Sequence, residues 1–338
     1  MHKVLSLFLL VFLTGCSASE VVTKMDHQSN PDYTAVYIIH ADANYTFHMN
    51  GKRYQADQEI LSEAKAVGES ARSGEVFIFH QQPERKRFLF FPGKDRVWYH
   101  YKGGELVGKG QYSPTGGGFS KEADLYRQMT GNSNTGRKLF FYFGHEMPSK
   151  ASFAYHHSQP EHTFNTEVFA NDISGFEDKF DLMVLSTCNN GNPLTVERLT
   201  GKTEYLVASP RNLHLSYLDT HSLNLLETLS DVSTKSLADS IARHSLERLS
   251  EQLQTMVTVG VYEMDVVEEY MGPYADSYAN YLGSVQQKSL FTDNADCNTL
   301  EIFEGQRIPE KGAKIYFSST AFGREAGLEH HSAWGCKE

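Results

Sequence analysis

The stretches Lys138-Leu139-Phe140-Phe141-Tyr142-Phe143-Gly144-His145 and Asp181-Leu182-Met183-Val184-Leu185-Ser186-Thr187-Cys188 decide the fold of this chain. Both have the apolar composition of buried strands, and a helix-length segment separates them, so we predict a strand–helix–strand unit with a parallel pair. Adjacent strands lie about 4.8 Å apart, so His145 and Cys188 are expected to face each other at the carboxyl ends, where open α/β sheets bind ligands. A thiol beside an imidazole is the minimal pair of side chains needed for nucleophilic attack on a carbonyl group.

The rest of the 338-residue chain alternates strands and helices. Strands are predicted at 34–40, 75–80, 203–209, 256–262 and 314–318, and helices at 56–72, 121–129, 165–176, 194–199, 235–253 and 265–282. A hairpin is predicted from 87–92 and 96–101, a surface insertion for the Gly-rich stretch 103–118, and a loop for 147–162. This alternation predicts an α/β fold whose mostly parallel sheet carries helices on both faces.

The composition is that of a globular protein, with 40% hydrophobic and 22% charged residues. The formal net charge of −11 makes nucleic acid and anionic membrane surfaces poor partners.

The first residues predict a targeting segment rather than part of the fold. Lys3 precedes an apolar run, 4–13, that is too short to span a membrane stably. The run ends in Leu13-Thr14-Gly15-Cys16, which resembles the bacterial lipoprotein cleavage box, with Cys16 as the lipidated residue. Ser17, directly after the cysteine, is typical of lipoproteins that are sorted to the outer membrane. We therefore expect a lipid-anchored protein of the bacterial cell envelope. It would contact the membrane only through this lipid. An ordinary cleaved secretory signal is the alternative.

Three cysteines then remain outside the cytoplasm, namely Cys188, Cys297 and Cys336. An odd number in an oxidising compartment favours one disulfide and one free thiol. Cys297 and Cys336 lie in polar, turn-like sequence and are the predicted pair, which leaves Cys188 as the free thiol. The alternative is that all three are free.

Common cofactor and nucleophile motifs are missing from the sequence. No Gly-rich dinucleotide fingerprint or phosphate loop occurs, and no Gly-x-Ser-x-Gly elbow is present. His145 with the loop residues His156, His157 and His162 lacks the Cys or Asp spacing of a metal site, so exposed loop histidines are favoured. We therefore predict no metal and no organic cofactor. For the His145 and Cys188 pair itself, the alternative is a buried structural cysteine near a chance histidine.

Three segments carry a resemblance to a known family. Residues 180–188, then Glu197, then Tyr205-Leu206-Val207-Ala208-Ser209 look like the nucleophile region of clostripain-family cysteine peptidases. The similarity spans Tyr33 to about Leu282, and 43 residues separate the histidine from the cysteine, near the ~50 of caspases. The family shares the caspase-like fold with gingipains and legumains. The resemblance thus implies a three-layer α/β sandwich with about six mostly parallel strands.

The resemblance also implies roles for individual residues. Cys188 would be the nucleophile and His145 its catalytic partner, and the backbone amides of Glu146 and Cys188 would hold the oxyanion. A nearby histidinium lowers a thiol pKa, so we expect His145 to raise the ionised fraction of Cys188.

Two residues depart from the family pattern. Glu146 stands where the family has a glycine after the catalytic histidine, and Ser186 stands where it has an acid that selects a basic side chain. Asp219 is a candidate replacement for that acid. Ser186 and Asp219 are therefore the two candidate substrate-binding residues. The alternative is a solvated acid near a helix start.

The expected organisation is a signal peptide at 1–15, a tether at 16–32, a caspase-like domain at 33–285 and a carboxyl-terminal extension at 286–338, which carries the predicted disulfide. The expected protein is a surface-anchored, clostripain-like cysteine endopeptidase acting on a peptide or protein substrate. One alternative is a catalytically inactive lipoprotein of this fold that binds a peptide or an envelope partner. A structural envelope protein, with the pair buried, is the third possibility.

Overall fold

A computed structural model of the chain describes residues 31–40, 46–82, 86–87, 91–92, 95–113, 118–130, 136–149, 153–156, 159–211, 213, 218–252, 257–284, 312–317, 331–332 and 335–336. Its strands are β1 (Tyr33–His40), β2 (Thr46–Met49), β3 (Lys52–Gln55), β4 (Gly74–Gln81), β5 (Lys86–Arg87), β6 (Phe91–Pro92), β7 (Arg96–Lys102), β8 (Glu105–Tyr112), β9 (Arg137–Phe143), β10 (Phe153–His156), β11 (Gln159–Phe164), β12 (Phe180–Ser186), β13 (Thr203–Ala208), β14 (Thr258–Glu263), β15 (Ala313–Phe317), β16 (His331–Ser332) and β17 (Gly335–Cys336).

Its α-helices are α1 (Ala56–Ser70), α2 (Ser120–Thr130), α3 (Thr166–Ile173), α4 (Pro193–Leu199), α5 (Leu225–Thr228), α6 (Thr234–Glu247) and α7 (Met264–Ser284). A 3-10 helix, His221–Asn224, precedes α5, and a π-helical turn, Arg248–Gln252, follows α6.

One sheet of nine strands forms the centre of the molecule, in the order β15-β14-β13-β12-β9-β1-β4-β7-β8. The five inner strands, from β13 to β4, are parallel, and two antiparallel strands are added at each edge. The predicted parallel pairing of the His145 and Cys188 strands is confirmed. The expected six strands are too few, because the antiparallel edges enlarge the sheet.

The inner strands are apolar along their whole length because helices cover both faces of the sheet. Residues 33–39 of β1 are all buried, for example. Side chains alternate between the two faces along each strand. Tyr37 and Phe141 stack on one face, with ring centroids 4.6 Å apart, while Phe140 and Phe169 meet edge to face on the other. Helices α1 and α6 pack on the first face, and α2, α3, α4 and α7 on the second.

The prediction of a surface insertion at 103–118 is wrong. Residues 105–112 form β8, the outermost strand, which pairs with β7. Its glycines are needed for packing, because a Cβ at Gly108 would lie 2.8 Å and one at Gly110 2.6 Å from the Trp98 ring. The predicted hairpin of 87–92 with 96–101 is also wrong, since β7 pairs with β4 and β8, and β5 pairs with β6.

The prediction of a loop at 147–162 is wrong in part, because β10 and β11 form an antiparallel hairpin there. The structure does not describe His157 or the side chains of His156 and His162. Among the residues that it does describe, no three His, Cys, Asp or Glu side chains come together as a metal site.

Both ends of the chain lie largely outside the described residues. Cys16 and Cys297 are among the residues not described, as is the side chain of Cys336. The lipid anchor and the Cys297–Cys336 disulfide therefore stay predictions. Strand β15, from the carboxyl-terminal extension, is described and completes one edge of the sheet beside β14. Within the described residues, no helix is long and apolar enough to cross a membrane.

Candidate active site

Strands β9 and β12 bring His145 and Cys188 to the same level of the sheet. Phe143 at the end of β9 lies opposite Ser186 at the end of β12, and His145 and Cys188 each follow two residues later. The Gly144 amide donates a hydrogen bond of 3.4 Å to the Ser186 carbonyl, which extends the ladder by one step. The His145 side chain is exposed and that of Cys188 is half-buried.

An asparagine-rich turn follows the cysteine and connects it to the loop that follows the histidine. The buried Asn190 side chain accepts a hydrogen bond from the Met147 amide (2.9 Å) and donates one to the Met147 carbonyl (2.8 Å). Its amide oxygen also accepts a bond of 2.7 Å from the Thr187 hydroxyl. One side chain thus satisfies both backbone groups of Met147 and links the two reactive strand ends.

The same turn starts the next helix. Asn192 accepts a hydrogen bond of 3.0 Å from the Thr195 amide and caps α4, whose first residue is Pro193. This agrees with the helix start expected for an Asn-Pro pair. Asn189 has a φ of +56°, a left-handed conformation that asparagine adopts more readily than most residues. These local preferences explain why the chain can turn sharply just after Cys188.

Leu213 contacts the cysteine sulfur through its backbone. The Leu213 amide donates to Sγ at 3.3 Å, and the thiol donates to the Leu213 carbonyl at 3.4 Å. Residues near Leu213 are fixed by the strand ends: the Arg211 carbonyl accepts from the Asn189 amide (2.9 Å), and the Leu218 amide donates to the Ser186 hydroxyl (3.0 Å). The thiol is therefore held against the segment that follows β13.

Burial raises the pKa of the Cys188 thiol above its ordinary value, and the nearby Glu146 carboxylate raises it further. The hydrogen bond with Leu213 lowers the pKa; this effect is smaller than that of burial but larger than that of Glu146. The effect of His145 on the ionised fraction of this thiol stays a prediction, while the raised pKa opposes ionisation in the resting molecule. The physical reason is that the sulfur lies against apolar residues of the α1/α6 face of the sheet.

Glu146 follows His145 in the chain and is bonded to the residue that follows Cys188. Its carboxylate accepts a hydrogen bond of 2.7 Å from the Asn189 side chain, and Asn189 directly follows Cys188. Glu146 stays exposed overall, but partial burial of its carboxyl group raises the pKa, and the bond from Asn189 opposes that increase. Glu146, which departs from the expected glycine, is thus an acid held by the residue next to Cys188.

The two candidate substrate-binding residues are both buried. Ser186 is buried, and its hydroxyl accepts the bond from the Leu218 amide. Asp219 is also buried, and it accepts hydrogen bonds from the amides of His221 (3.3 Å) and Ser222 (3.2 Å) at the start of the 3-10 helix. It is near a helix start, as the alternative expected, but it is not solvated. A role for either residue in binding substrate stays a prediction.

Sequence reasoning missed Asn189, Asn190 and Leu213. The run Asn189-Asn190-Gly191-Asn192 was the available signal for the first two, because three asparagines around a strand end are suited to turns and caps. Leu213 is 25 residues beyond Cys188 in the sequence, and no local pattern indicates its contact with the sulfur.

Two solved structures share this fold. One is a secreted C11 cysteine protease from Bacteroides thetaiotaomicron, iotapain, with 12% identity and a TM-score of 0.50. The other is a secreted C11 cysteine protease from the same organism in complex with an irreversible peptide inhibitor, with 11% identity and a TM-score of 0.52. Each comparison covers 75% of this chain and 70% of the other. The expected caspase-like fold is thereby confirmed.

Sequence comparison adds nothing further: no protein-family model matches the chain, and neither does any curated protein.

The raised pKa predicts how Cys188 reacts in the native protein. The thiolate is the nucleophile, so alkylation by iodoacetamide is expected to be slow at pH 7 and to rise through a midpoint above the ~8.5 of a free cysteine. Mass spectrometry of the Cys188 peptide, sampled over a range of pH, measures this midpoint. The same protein unfolded in urea is the control and is expected to show the ordinary value. A native midpoint below ~8.5 that moves up in His145→Ala would contradict the account and restore the ionised pair.

Proposed function

We propose that this chain is a cysteine endopeptidase in which Cys188 and His145 hydrolyse peptide bonds. The observation that carries the proposal is their equal placement beyond the paired ends of β9 and β12, linked by Asn190. The fold shared with two secreted cysteine proteases supports it. One of those proteases was captured with an irreversible peptide inhibitor, which supports a peptide or protein as the substrate of this chain.

The reaction would proceed through an acyl-enzyme. The Cys188 sulfur bonds to the peptide carbonyl carbon, and the thiol proton passes by way of His145 to the leaving nitrogen as the carbon–nitrogen bond breaks. Water then attacks the thioester and gives one proton to His145. The acid product leaves, and the proton returns to the sulfur. Overall, one peptide bond and one water molecule are consumed, and one carboxylic acid and one amine are formed.

The oxyanion is proposed to bind the amides of Glu146 and Cys188. The backbone amide of the residue that follows each of them already has an acceptor. The Met147 amide donates to the Asn190 side chain, and the Asn189 amide donates to the Arg211 carbonyl. These two bonds fix the backbone at both positions. Such fixed donors need no reorganisation as charge develops on the oxygen.

The resting thiol has to be released before it can attack. Sγ is engaged with both backbone groups of Leu213, and its pKa is raised. We propose that a bound peptide displaces Leu213 from the sulfur, and that His145 takes the thiol proton only then. Catalytic hydrogen bonds are often long in the free enzyme and tighten in the substrate complex.

We also propose that the enzyme is anchored to the cell envelope by lipid on Cys16. The support is the cleavage box Leu13-Thr14-Gly15-Cys16 after an apolar run.

Fractionation of cells tests the anchor. The wild-type protein is expected in the membrane fraction, and Cys16→Ala in the soluble fraction, because the acyl chains supply the attachment, each buried methylene contributing ~0.8 kcal/mol. A variant that stays with membranes, or a soluble wild type, would count against lipidation.

Hydrolysis of quenched fluorescent peptide libraries tests the proposed activity. Cys188→Ala and His145→Ala are each expected to reduce kcat/KM by about a thousandfold or more, because each removes a group that acts in the covalent step. The control is His48→Ala, which removes an exposed histidine from β2 and is expected to keep full activity. If wild type and Cys188→Ala are equally inert on basic, acidic and apolar libraries, the peptidase proposal fails. The non-catalytic peptide-binding lipoprotein then takes its place.

A further inference from the structure

We propose that Glu146 forms an acidic subsite on the leaving-group side of the active site, and that it selects substrates with a positively charged side chain directly after the scissile bond. The inference rests on the proposed function and names the substrate class. It differs from selection of a basic residue before the scissile bond, which the family achieves with an acid two positions before the cysteine.

The Glu146 carboxylate is held in place from two directions. On its own strand-end loop, the next residue, Met147, is fixed by both of its backbone groups to Asn190. Across the site, the carboxylate accepts the 2.7 Å bond from Asn189, whose own amide is tied to the Arg211 carbonyl. The partner that holds it is a neutral amide, so the negative charge is positioned without being cancelled.

The charge acts at the position where substrate must lie. The Glu146 carboxylate is bonded to Asn189, the residue next to Cys188, and it adds to burial in raising the pKa of the Cys188 thiol. Glu146 is exposed, so a substrate side chain can approach it. A cation there would form an ion pair with the carboxylate and would also offset its unfavourable effect on the thiolate.

We assign this acid to the leaving-group side from its position in the chain next to His145. His145 has to deliver its proton to the leaving nitrogen, so it borders the residue that follows the scissile bond. Glu146 is its immediate neighbour in the sequence. Ser186 occupies the position of the family acid, and its hydroxyl is buried and bonded to the Leu218 amide. Ser186 therefore offers no charge to the residue before the scissile bond, and Glu146 is the acid that we assign to the residue after it.

Charged thiol reagents test the subsite without any need for hydrolysis. Cationic and anionic methanethiosulfonates of similar size are compared by their rates at Cys188, resolved by mass spectrometry of the Cys188 peptide. The cationic reagent is expected to react faster with Cys188 than the anionic one, because Glu146 attracts it. Glu146→Gln is expected to reduce the cation-to-anion rate ratio by about two- to fivefold, the range for partly exposed charge pairs. Glutamine can still accept the bond from Asn189.

The matched control is Glu105→Gln, which makes the same charge change on β8 at the far edge of the sheet, at an exposed residue. It is expected to leave the rate ratio unchanged. A ratio at Cys188 that is equal in wild type and Glu146→Gln would overturn the subsite.

Paired peptide substrates then test selection itself. Lysine and norleucine are compared directly after the scissile bond, and separately directly before it. Glu146→Gln is expected to reduce the lysine preference after the bond by about two- to fivefold and to leave the preference before the bond unchanged. If peptides are hydrolysed but neither preference moves, the subsite fails while the proposed function stands. If no peptide is hydrolysed but the reagent ratio falls, the proposed function fails and the acidic subsite stands.

Discussion

Strands β9 and β12 pair in parallel with Phe143 opposite Ser186, and the candidate site depends on that pairing. The register places His145 and Cys188 at equal distances beyond the two strand ends. A shift of one residue would turn one of the two side chains to the other face of the sheet, because strand side chains alternate. The helices on both faces and the apolar inner strands fix this register, so the packing of the core determines the geometry of the chemistry.

Asn190 connects the two chain segments that follow the ends of β9 and β12. Three of its side-chain hydrogen bonds join Met147 on one side to Thr187 on the other, and the side chain is fully buried. A hydrogen bond contributes about 1 kcal/mol net, whereas a buried backbone group left without a partner costs about 1–3 kcal/mol. The asparagine therefore contributes more to the site than its number of bonds suggests, because removing it leaves the Met147 amide without its acceptor and the Met147 carbonyl with only the 3.4 Å bond from the Thr166 hydroxyl.

Burial and the Glu146 carboxylate together favour the protonated form of the Cys188 thiol. Leu213 holds the sulfur among apolar side chains, and Glu146 places a negative charge nearby. Both effects are removed in the presence of substrate under our account: the peptide displaces Leu213, and a cation on the leaving-group side offsets Glu146. A thiol that becomes reactive only beside its substrate is protected from other electrophiles and from oxidants.

The inner strands could be predicted from the sequence because parallel strands buried on both faces are continuous apolar runs, such as Leu139–Phe143 and Leu182–Leu185. Edge strands gave a weaker signal. Gly108 and Gly110 look like loop residues but make room for the Trp98 ring. The thiol environment could not be predicted, since Leu213 reaches Cys188 only through the tertiary fold, and the Asn189 contact of Glu146 depends on a left-handed backbone turn.

The central claim is that Cys188 forms a covalent bond with the acyl part of a peptide. Acid quenching during turnover of a cleaved peptide, followed by mass spectrometry of the Cys188-containing fragment, measures this directly. We expect the mass of this fragment to increase by the mass of the amino-terminal acyl product, bound as a thioester to Cys188. No such increase is expected in Cys188→Ala. Cleavage that continues in Cys188→Ala, with no adduct on the wild-type fragment, would contradict it.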